Sequence, residues 1–149
     1  ATLATNEIYD AFYSAERAKT FFHSSSYTGN ALACAAANAN LKIFDHDPVL
    51  ERINTIAAHH AARLKNFEGH RLIADIRQTG TIAALELGAR DSGYFSELGP
   101  KLAKFYLDND VLLRPLGNVV YVLPPYCATT AELDRIYDVI EESLELIAN

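Results

Sequence analysis

The chain has 149 residues and a net charge of −6, from 13 basic and 19 acidic side chains. Half of the residues are apolar, which is typical of a globular domain with a core of its own. The acidic balance and the lack of a basic cluster argue against nucleic acid and anionic membranes as partners. No apolar run reaches the roughly 20 residues that cross a bilayer.

Two further features concern the compartment and the completeness of the chain. Cys34 and Cys127 stand apart, without the spacing of a metal site, which favours reduced thiols in a cytoplasmic protein. The sequence contains no methionine, and residues 1–5 resemble the end of a strand. We therefore expect the chain to be a fragment of a larger protein.

Helices are predicted in the first part of the chain. Thr5 is typical of a helix N-cap, and a short helix is expected over residues 6–13. A polar, turn-prone segment follows as far as Gly29. The alanine-rich residues 30–44 predict a second, closely packed helix.

A third helix is predicted to begin at Asp47 and Pro48, which have the residue types of an N-cap and a first helical residue. It should continue to Asn66 and end near Gly69. The residues expected to face the core are Leu50, Ile53, Ala57 and Leu64.

Strands are predicted in the second part of the chain. Residues 72–76 and 82–87 are typical of strands, and a turn at Gln78-Thr79-Gly80 is expected to join them. Residues 111–123 predict two more apolar strands, which Pro115 and Gly117 separate.

Two more helices complete the predicted order of elements. One covers residues 95–109, and Thr129 and Glu132 have the spacing of a capping box for the last helix, which should reach Ile147. This order predicts an α+β fold, with a small sheet of about four strands and helices packed on one face.

Arg114 is the first candidate for binding, because no acidic residue lies between Val111 and Tyr126 to neutralise it. A guanidinium among Val and Leu side chains is costly to bury unless it meets an anion, and a carboxylate can accept two parallel hydrogen bonds from it. The alternative is an ion pair with a distant Asp or Glu of the same fold. Tyr121 lies on the strand predicted to return from this arginine.

A second candidate is the hydroxyl-rich loop that precedes the alanine-rich helix. Hydroxyl groups and free backbone N–H groups at a helix start can hold a phosphate, although ordinary capping is the alternative. The hydroxyl residues of this loop are Ser24, Ser25, Ser26, Tyr27 and Thr28.

Other polar residues predict structural roles. His59 and His60 are adjacent on a helix, so their side chains point about 100° apart and cannot share a metal ion. Asp75 and Arg77 are expected on the polar side of one strand. The five lysines lie in polar or helical-surface positions, and none has the apolar setting of a Schiff-base amine. No metal site is predicted.

Three segments together resemble class III, pyridoxal-phosphate-dependent aminotransferases. Residues 23–37, His-Ser-Ser-Ser-Tyr-Thr-Gly-Asn-Ala-Leu-Ala-Cys-Ala-Ala-Ala, resemble the family's phosphate loop and the helix after it. Residues 77–87 resemble the strand pair that opens its C-terminal domain. Residues 114–126, Arg-Pro-Leu-Gly-Asn-Val-Val-Tyr-Val-Leu-Pro-Pro-Tyr, most resemble the members that transfer an amino group from S-adenosylmethionine to 8-amino-7-oxononanoate in biotin synthesis.

The resemblance covers essentially the whole chain and implies the C-terminal part of a fold-type I transferase. Residues 1–45 would end the large cofactor-binding domain, and residues 46–149 would form the small C-terminal domain. The implied cofactor is pyridoxal 5′-phosphate, and the implied assembly is a homodimer whose active sites are shared between subunits.

The resemblance also assigns roles to single residues. Ser26 falls on the family's phosphate-binding threonine, so Ser25 and Ser26 would contact the phosphate held by the partner subunit. Arg114 falls on the arginine that holds the substrate carboxylate, and Tyr121 falls on a tyrosine of the substrate pocket. Two departures concern the loop, where Ser24 replaces a glycine and Ala31 replaces a proline.

The family's Schiff-base lysine would lie upstream of residue 1, so the chain holds no catalytic residue and is expected to be inactive alone. Two alternatives remain open. One is another class III aminotransferase that acts on ω-amino acids or diamines. The other is a non-catalytic module that binds a carboxylate ligand or a partner, which predicts a stable monomer, whereas a fragment predicts exposed apolar surface.

Overall fold

The computed structural model describes residues 3–23, 25–88, 93 and 96–145. The chain divides into two compact units, with the boundary between Lys42 and Ile43. No helix in the described ranges is long and apolar enough to span a membrane.

The first unit is built from helices whose starts are capped by side chains. Thr5 Oγ1 accepts a hydrogen bond from the Ile8 amide at 3.4 Å, and Asn30 Oδ1 accepts one from the Ala33 amide at 3.0 Å. Both predicted helices are confirmed, with bounds that differ by one or two residues. They are α1 (Asn6–Phe12) and α2 (Ala31–His46), which continues into the second unit; a 3₁₀ turn covers Arg17–Lys19.

The second unit combines helices with a three-stranded antiparallel sheet in the order β1-β2-β3. The predicted α+β class is confirmed. The elements are α3 (Val49–Leu64), a 3₁₀ turn (Lys65–Phe67), β1 (Ile73–Thr79), β2 (Ile82–Leu87), α4 (Leu98–Asp108), β3 (Val119–Val122) and α5 (Thr130–Ser143).

The third predicted strand, which was to carry Arg114, is wrong, and the fourth forms β3. Residues 111–115 form neither a helix nor a strand, and the only bridge beside them joins Leu116 to Val119. Pro115 has no amide hydrogen to donate to a ladder, which explains why the apolar run does not pair. The described sheet therefore has three strands instead of four.

The start of α3 also differs from its prediction. Pro48 occupies the N-cap without a side-chain hydrogen bond, and the Asp47 carboxylate instead pairs with Arg52 at 3.2 Å. The predicted inward face of the helix is confirmed at Leu64 and is wrong at Leu50. Leu50 is 69% exposed, while Ile53 and Ala57 are half-buried. The buried residues of α3 are Val49, Ile56, His60 and Leu64.

The predicted β1–β2 hairpin and the predicted capping box of the last helix are both confirmed. The β1–β2 hairpin forms and turns at Gly80, whose φ of +56° suits glycine. Thr129 and Glu132 form the predicted capping box of α5. The predicted start of α4 at Phe95 and the predicted end of α5 at Ile147 lie outside the described residues.

One face of the sheet carries the core of the second unit. Alternate side chains of β2 and β3 point into the core, because successive side chains of a strand lie on opposite faces of the sheet. The helices pack against the same core from the other side. Its members include Ala83, Leu85, Leu87, Val120 and Val122 from the sheet, with Leu64, Phe67, Leu102, Tyr106, Tyr137, Val139 and Ile140 from the helical side.

Polar bonds inside this core tie α4 to α5. Tyr106 is fully buried, and its hydroxyl shares a hydrogen bond of 3.1 Å with Ser143 Oγ. The Ser143 hydroxyl donates to the Ile140 carbonyl at 2.6 Å. Burial raises the pKa of the Tyr106 phenol to about 12, so this phenol stays protonated and able to donate.

A second polar cluster ties α3 to α5. His60 Nδ1 shares a hydrogen bond of 2.6 Å with the hydroxyl of Tyr137, and both residues are fully buried. Arg63 lies 5.5 Å from the centre of the same ring and pairs with Asp134 at 3.3 Å. His59 Nε2 lies 2.8 Å from the same aspartate. The expectation that the two histidines are structural is confirmed.

Candidate functional site

Tyr121 lies on β3, on the sheet face opposite the core. Its partner in register is Ala84 on β2, and Ala84 is in turn paired with Arg77 on β1. Directly opposite residues of an antiparallel pair share a face, so these three side chains form one row across the sheet. Tyr121 is half-buried, with a ring that can pack against an aliphatic group and a hydroxyl that can reach a polar one.

The same face carries a group of three charges. The Arg77 guanidinium donates to Asp75 at 2.6 Å and to Glu86 at 2.9 Å. The predicted sharing of one polar side by Asp75 and Arg77 is confirmed. Since all three side chains are a third to a half exposed, solvent screens both ion pairs, and they contribute little to the stability of the fold.

Arg114 is exposed, so its predicted burial in a strand is wrong. The cause is the missing strand: Leu112 beside it is 88% exposed, and the segment runs along the surface. No hydrogen bond or ion pair among the described residues involves Arg114. An ion pair with a distant Asp or Glu, the alternative considered from the sequence, is therefore not formed within the described part of the chain.

A groove of about 590 Å³ lies beside this arginine. One wall is the start of α4, including Gly99 and Pro100, and the other is the segment from Leu112 to Gly117. The groove is mostly apolar, and among the described residues that line it Arg114 carries the one positive charge and Glu97 a negative one. It suits a ligand with an apolar body and an anionic end that the guanidinium can bind.

A tight turn separates Arg114 from Tyr121. The Leu116 amide donates to the Val119 carbonyl at 2.8 Å, and the Val119 amide donates back to the Leu116 carbonyl at 3.1 Å. Gly117 has a φ of +61°, which the first central position of such a hairpin favours in glycine. The backbone conformation of this turn therefore sets the positions of Arg114 and Tyr121 relative to each other.

The second candidate, in the first unit, is the loop from Ser25 to Asn30. Ser25 Oγ accepts from the Tyr27 amide at 3.2 Å, and its carbonyl accepts from the Thr28 amide at 3.0 Å. The Ser26 hydroxyl has no hydrogen bond to the described residues, and Ser25 and Ser26 are both exposed. The substitution noted at Ser24 lies outside the described residues.

The start of α2 immediately follows this loop. Its exposed first turn carries the partial positive charge of a helix N-terminus. This loop can therefore offer a hydroxyl and backbone N–H groups to a phosphate. In the described ranges no group of three or more His, Cys, Asp or Glu side chains could hold a metal ion.

Comparison with known proteins identifies the family. The model of the aminotransferase class-III family matches residues 1–144. The adenosylmethionine-8-amino-7-oxononanoate aminotransferase of Synechococcus elongatus is 40% identical over 147 residues, which cover 98% of this chain and 34% of the relative. The protein of the same name from Geobacter sulfurreducens is 37% identical over 154 residues, covering 99% of this chain and 34% of that relative.

Solved structures agree with the sequence comparison. The crystal structure of adenosylmethionine-8-amino-7-oxononanoate aminotransferase from Methanocaldococcus jannaschii DSM 2661 has a TM-score of 0.76 and 31% sequence identity, and the match covers 93% of this chain and 34% of that one. A thermostable omega transaminase from Pseudomonas jessenii has a TM-score of 0.73 and 26% identity, over 85% of this chain and 29% of that one. The chain spans about a third of the length of the curated relatives it matches. It belongs to the class-III aminotransferase family.

Proposed function

We propose that this chain forms part of an aminotransferase that moves an amino group from S-adenosylmethionine to 8-amino-7-oxononanoate, giving 7,8-diaminononanoate for biotin synthesis. The names of relatives that are 32–40% identical over nearly the whole chain support the proposal. The observation that carries it is Arg114, an exposed guanidinium without a partner among the described residues, beside a mostly apolar groove. The acceptor has the matching chemistry, a carboxylate at the end of an aliphatic chain.

Arg114 and Tyr121 would divide the recognition of the acceptor between them. The planar guanidinium can donate two parallel hydrogen bonds to the carboxylate. The half-buried Tyr121 ring can cover part of the aliphatic chain. Neither group takes part in bond breaking, so both would bind and orient the acceptor without exchanging protons with it.

We assign the phosphate of the family's cofactor, pyridoxal 5′-phosphate, to Ser25 and Ser26 of a neighbouring subunit in a homodimer. When bound, this cofactor supplies the electron sink that amino-group transfer requires. The loop fits a phosphate because the Ser26 hydroxyl is unpaired among the described residues and because the N-terminus of α2 follows it. Ser25 would contribute backbone N–H rather than its side chain, which already accepts from Tyr27.

The proposed domain division assigns residues 1–45 to the end of the large domain and residues 46–149 to the small one. The boundary between compact units lies at residues 42 and 43, close to this division. The first unit also exposes apolar side chains, as expected for a segment that packs against more of the same protein. They include Leu3, Tyr9, Tyr13, Phe21, Phe22, Tyr27 and Leu32.

A hybrid enzyme tests the proposed activity. In it, this chain replaces the matching 147 residues of the Synechococcus elongatus relative. We expect the hybrid to form 7,8-diaminononanoate with S-adenosylmethionine as donor, because the segment would supply the carboxylate site. The matched control carries the corresponding segment of the Pseudomonas jessenii omega transaminase, which has the same fold at 26% identity to this chain. Equal product formation by the two hybrids, or none by the first, would contradict the proposal.

Replacing Ser26 with alanine is expected to weaken cofactor binding by the hybrid about 10-fold to 100-fold, because a hydrogen bond to a charged phosphate is worth about 1.5–3 kcal/mol. Ser25→Ala is the matched control, since it removes a neighbouring hydroxyl that serves only the turn. Titration of the cofactor-free hybrid with pyridoxal 5′-phosphate, followed by absorbance, measures the two dissociation constants. A larger loss for Ser25→Ala than for Ser26→Ala would contradict the assignment.

A further inference from the structure

Asn118 is the buried polar residue between the two proposed acceptor-binding side chains, and its hydrogen bonds join residues far apart in the sequence. Only 4% of it is exposed. Its Nδ2 donates to the Leu87 carbonyl at 2.9 Å, and its Oδ1 accepts from the Gly93 amide at 2.8 Å. The Leu87 amide donates to the Asn118 carbonyl at 2.8 Å. The asparagine therefore continues the β2–β3 pairing beyond the start of β3.

The turn that contains Asn118 is held from a second side by α4. The carbonyl oxygen of Gly117 would lie 3.2 Å from a Cβ placed on Gly99, so the backbones of the helix and the turn are in close approach. The turn thus has a helix against one side and the end of β2 hydrogen-bonded to the other. On the β2 side, the Asn118 side chain adds its bond to the Leu87 carbonyl to the backbone bond from the Leu87 amide, and both oppose movement of the turn away from β2.

We infer that Asn118 is a positioning residue for acceptor binding, an inference that rests on the proposed function of Arg114 and Tyr121. Arg114 lies four residues before it and Tyr121 three residues after it. Since Arg114 has no partner of its own among the described residues, the location of its guanidinium depends on the backbone of the turn. A turn released from Leu87 would move the carboxylate site relative to the sheet face that carries Tyr121.

The decisive kinetic test compares Asn118→Ala with Asn109→Ala in the hybrid enzyme. Asn109 is the matched control because its Nδ2 donates to the Phe105 carbonyl at 2.9 Å, the same kind of bond, at the end of α4. Asn118→Ala is expected to raise the KM for 8-amino-7-oxononanoate roughly 10-fold, with kcat changed less than about 3-fold. Asn109→Ala is expected to leave this KM unchanged. A KM that is the same in both variants would overturn the inference.

A second measurement applies to the 149-residue chain itself and does not depend on activity. Asn118→Ala should speed amide hydrogen exchange at Leu87, Leu116 and Val119, which bond within or to the turn. Asn109→Ala should leave the exchange rates of these three amides unchanged. Unchanged exchange in Asn118→Ala would overturn the anchoring role. A wild-type hybrid without turnover of the keto acid would instead contradict the proposed function, while the exchange data would still decide whether Asn118 holds the turn.

Discussion

Replacing Arg114 with alanine in the hybrid enzyme is expected to raise the KM for 8-amino-7-oxononanoate by at least about 100-fold. Two charge-assisted hydrogen bonds to the carboxylate would be lost, each worth about 1.5–3 kcal/mol, and a factor of ten in affinity corresponds to about 1.4 kcal/mol. Arg114→Lys should give an intermediate increase of roughly 10-fold, because an ammonium keeps the charge but lacks the planar pair of donors. Initial rates at a fixed concentration of S-adenosylmethionine measure both values.

The control for Arg114 is Arg135, another exposed arginine of the same unit. Arg135 lies on α5, where it donates to the Asn109 carbonyl at 3.2 Å and stands 3.8 Å from Glu142. Its replacement with alanine removes the same charge from the protein without touching the groove, so KM should stay unchanged. The methyl ester of the keto acid gives an independent check. If Arg114 binds the carboxylate, Arg114→Ala should remove the preference of the wild-type hybrid for the free acid over the ester.

Arg114 also illustrates what the sequence could and could not predict. Its candidacy follows from residue types alone, since no acidic residue lies between Val111 and Tyr126. Its burial was wrongly predicted, because burial depended on a strand that would have needed a neighbour to pair with. Pro115 cannot donate to such a ladder, and residues 111–115 stay outside the sheet. The site therefore presents an exposed cation rather than a buried one.

The capped starts of α1 and α5 were predicted correctly from the sequence. Thr5 caps α1, and Thr129 with Glu132 caps α5, because each of these bonds joins residues three apart. On the predicted inward face of α3, Leu64 was right and Leu50 was wrong, because packing decides which positions are covered. Val49, which is buried in place of Leu50, lies about 100° away from it around the helix axis.

Asn118 could not be recognised from the sequence as more than a turn residue. The Gly-Asn pair after Pro115 indicates a turn, and that signal was present. The bonds that give Asn118 its role reach Leu87 and Gly93, which lie 31 and 25 residues earlier in the chain. Contacts at that separation depend on how the sheet is assembled, so only the structure reveals them.

Replacing Tyr137 with alanine is expected to destabilise the second unit by about 3–5 kcal/mol, the usual cost of deleting a fully buried aromatic side chain. Tyr137→Phe should cost about 1–3 kcal/mol, because it keeps the ring but leaves His60 Nδ1 buried without its partner. Tyr126→Ala is the control, since that residue is 41% exposed and its ring meets Phe44 edge to face at the surface of the unit. Urea unfolding followed by far-UV circular dichroism measures the three free energies. A loss for Tyr137→Ala no larger than for Tyr126→Ala would contradict this role.

The buried His60–Tyr137 pair also predicts how the stability of the second unit depends on pH. Burial lowers the pKa of His60 below its ordinary value of 6.5, and the nearby His59 lowers it further, while the Thr81 backbone acts in the opposite direction. The unfolded chain therefore binds a proton at this site before the folded one does. The stabilisation from neutral His60 is complete above pH 6.5 and is lost as the pH falls through the lowered pKa of the folded state.

A variant without the titrating group isolates this effect. His60→Gln keeps an amide that can bond to the Tyr137 hydroxyl but cannot take up the proton, so the free energy of unfolding should fall less steeply between about pH 6.5 and pH 5 than in the wild type. Hydrogen bonds from the Thr129 backbone amide, and then from its hydroxyl, lower the pKa of Glu132 below 4.5. The contribution of Glu132 is therefore lost only at still lower pH, outside this window. Equal slopes for wild type and His60→Gln in urea unfolding would mean that His60 takes up its proton in the folded protein as readily as in the unfolded chain, and that burial between α3 and α5 does not set its charge.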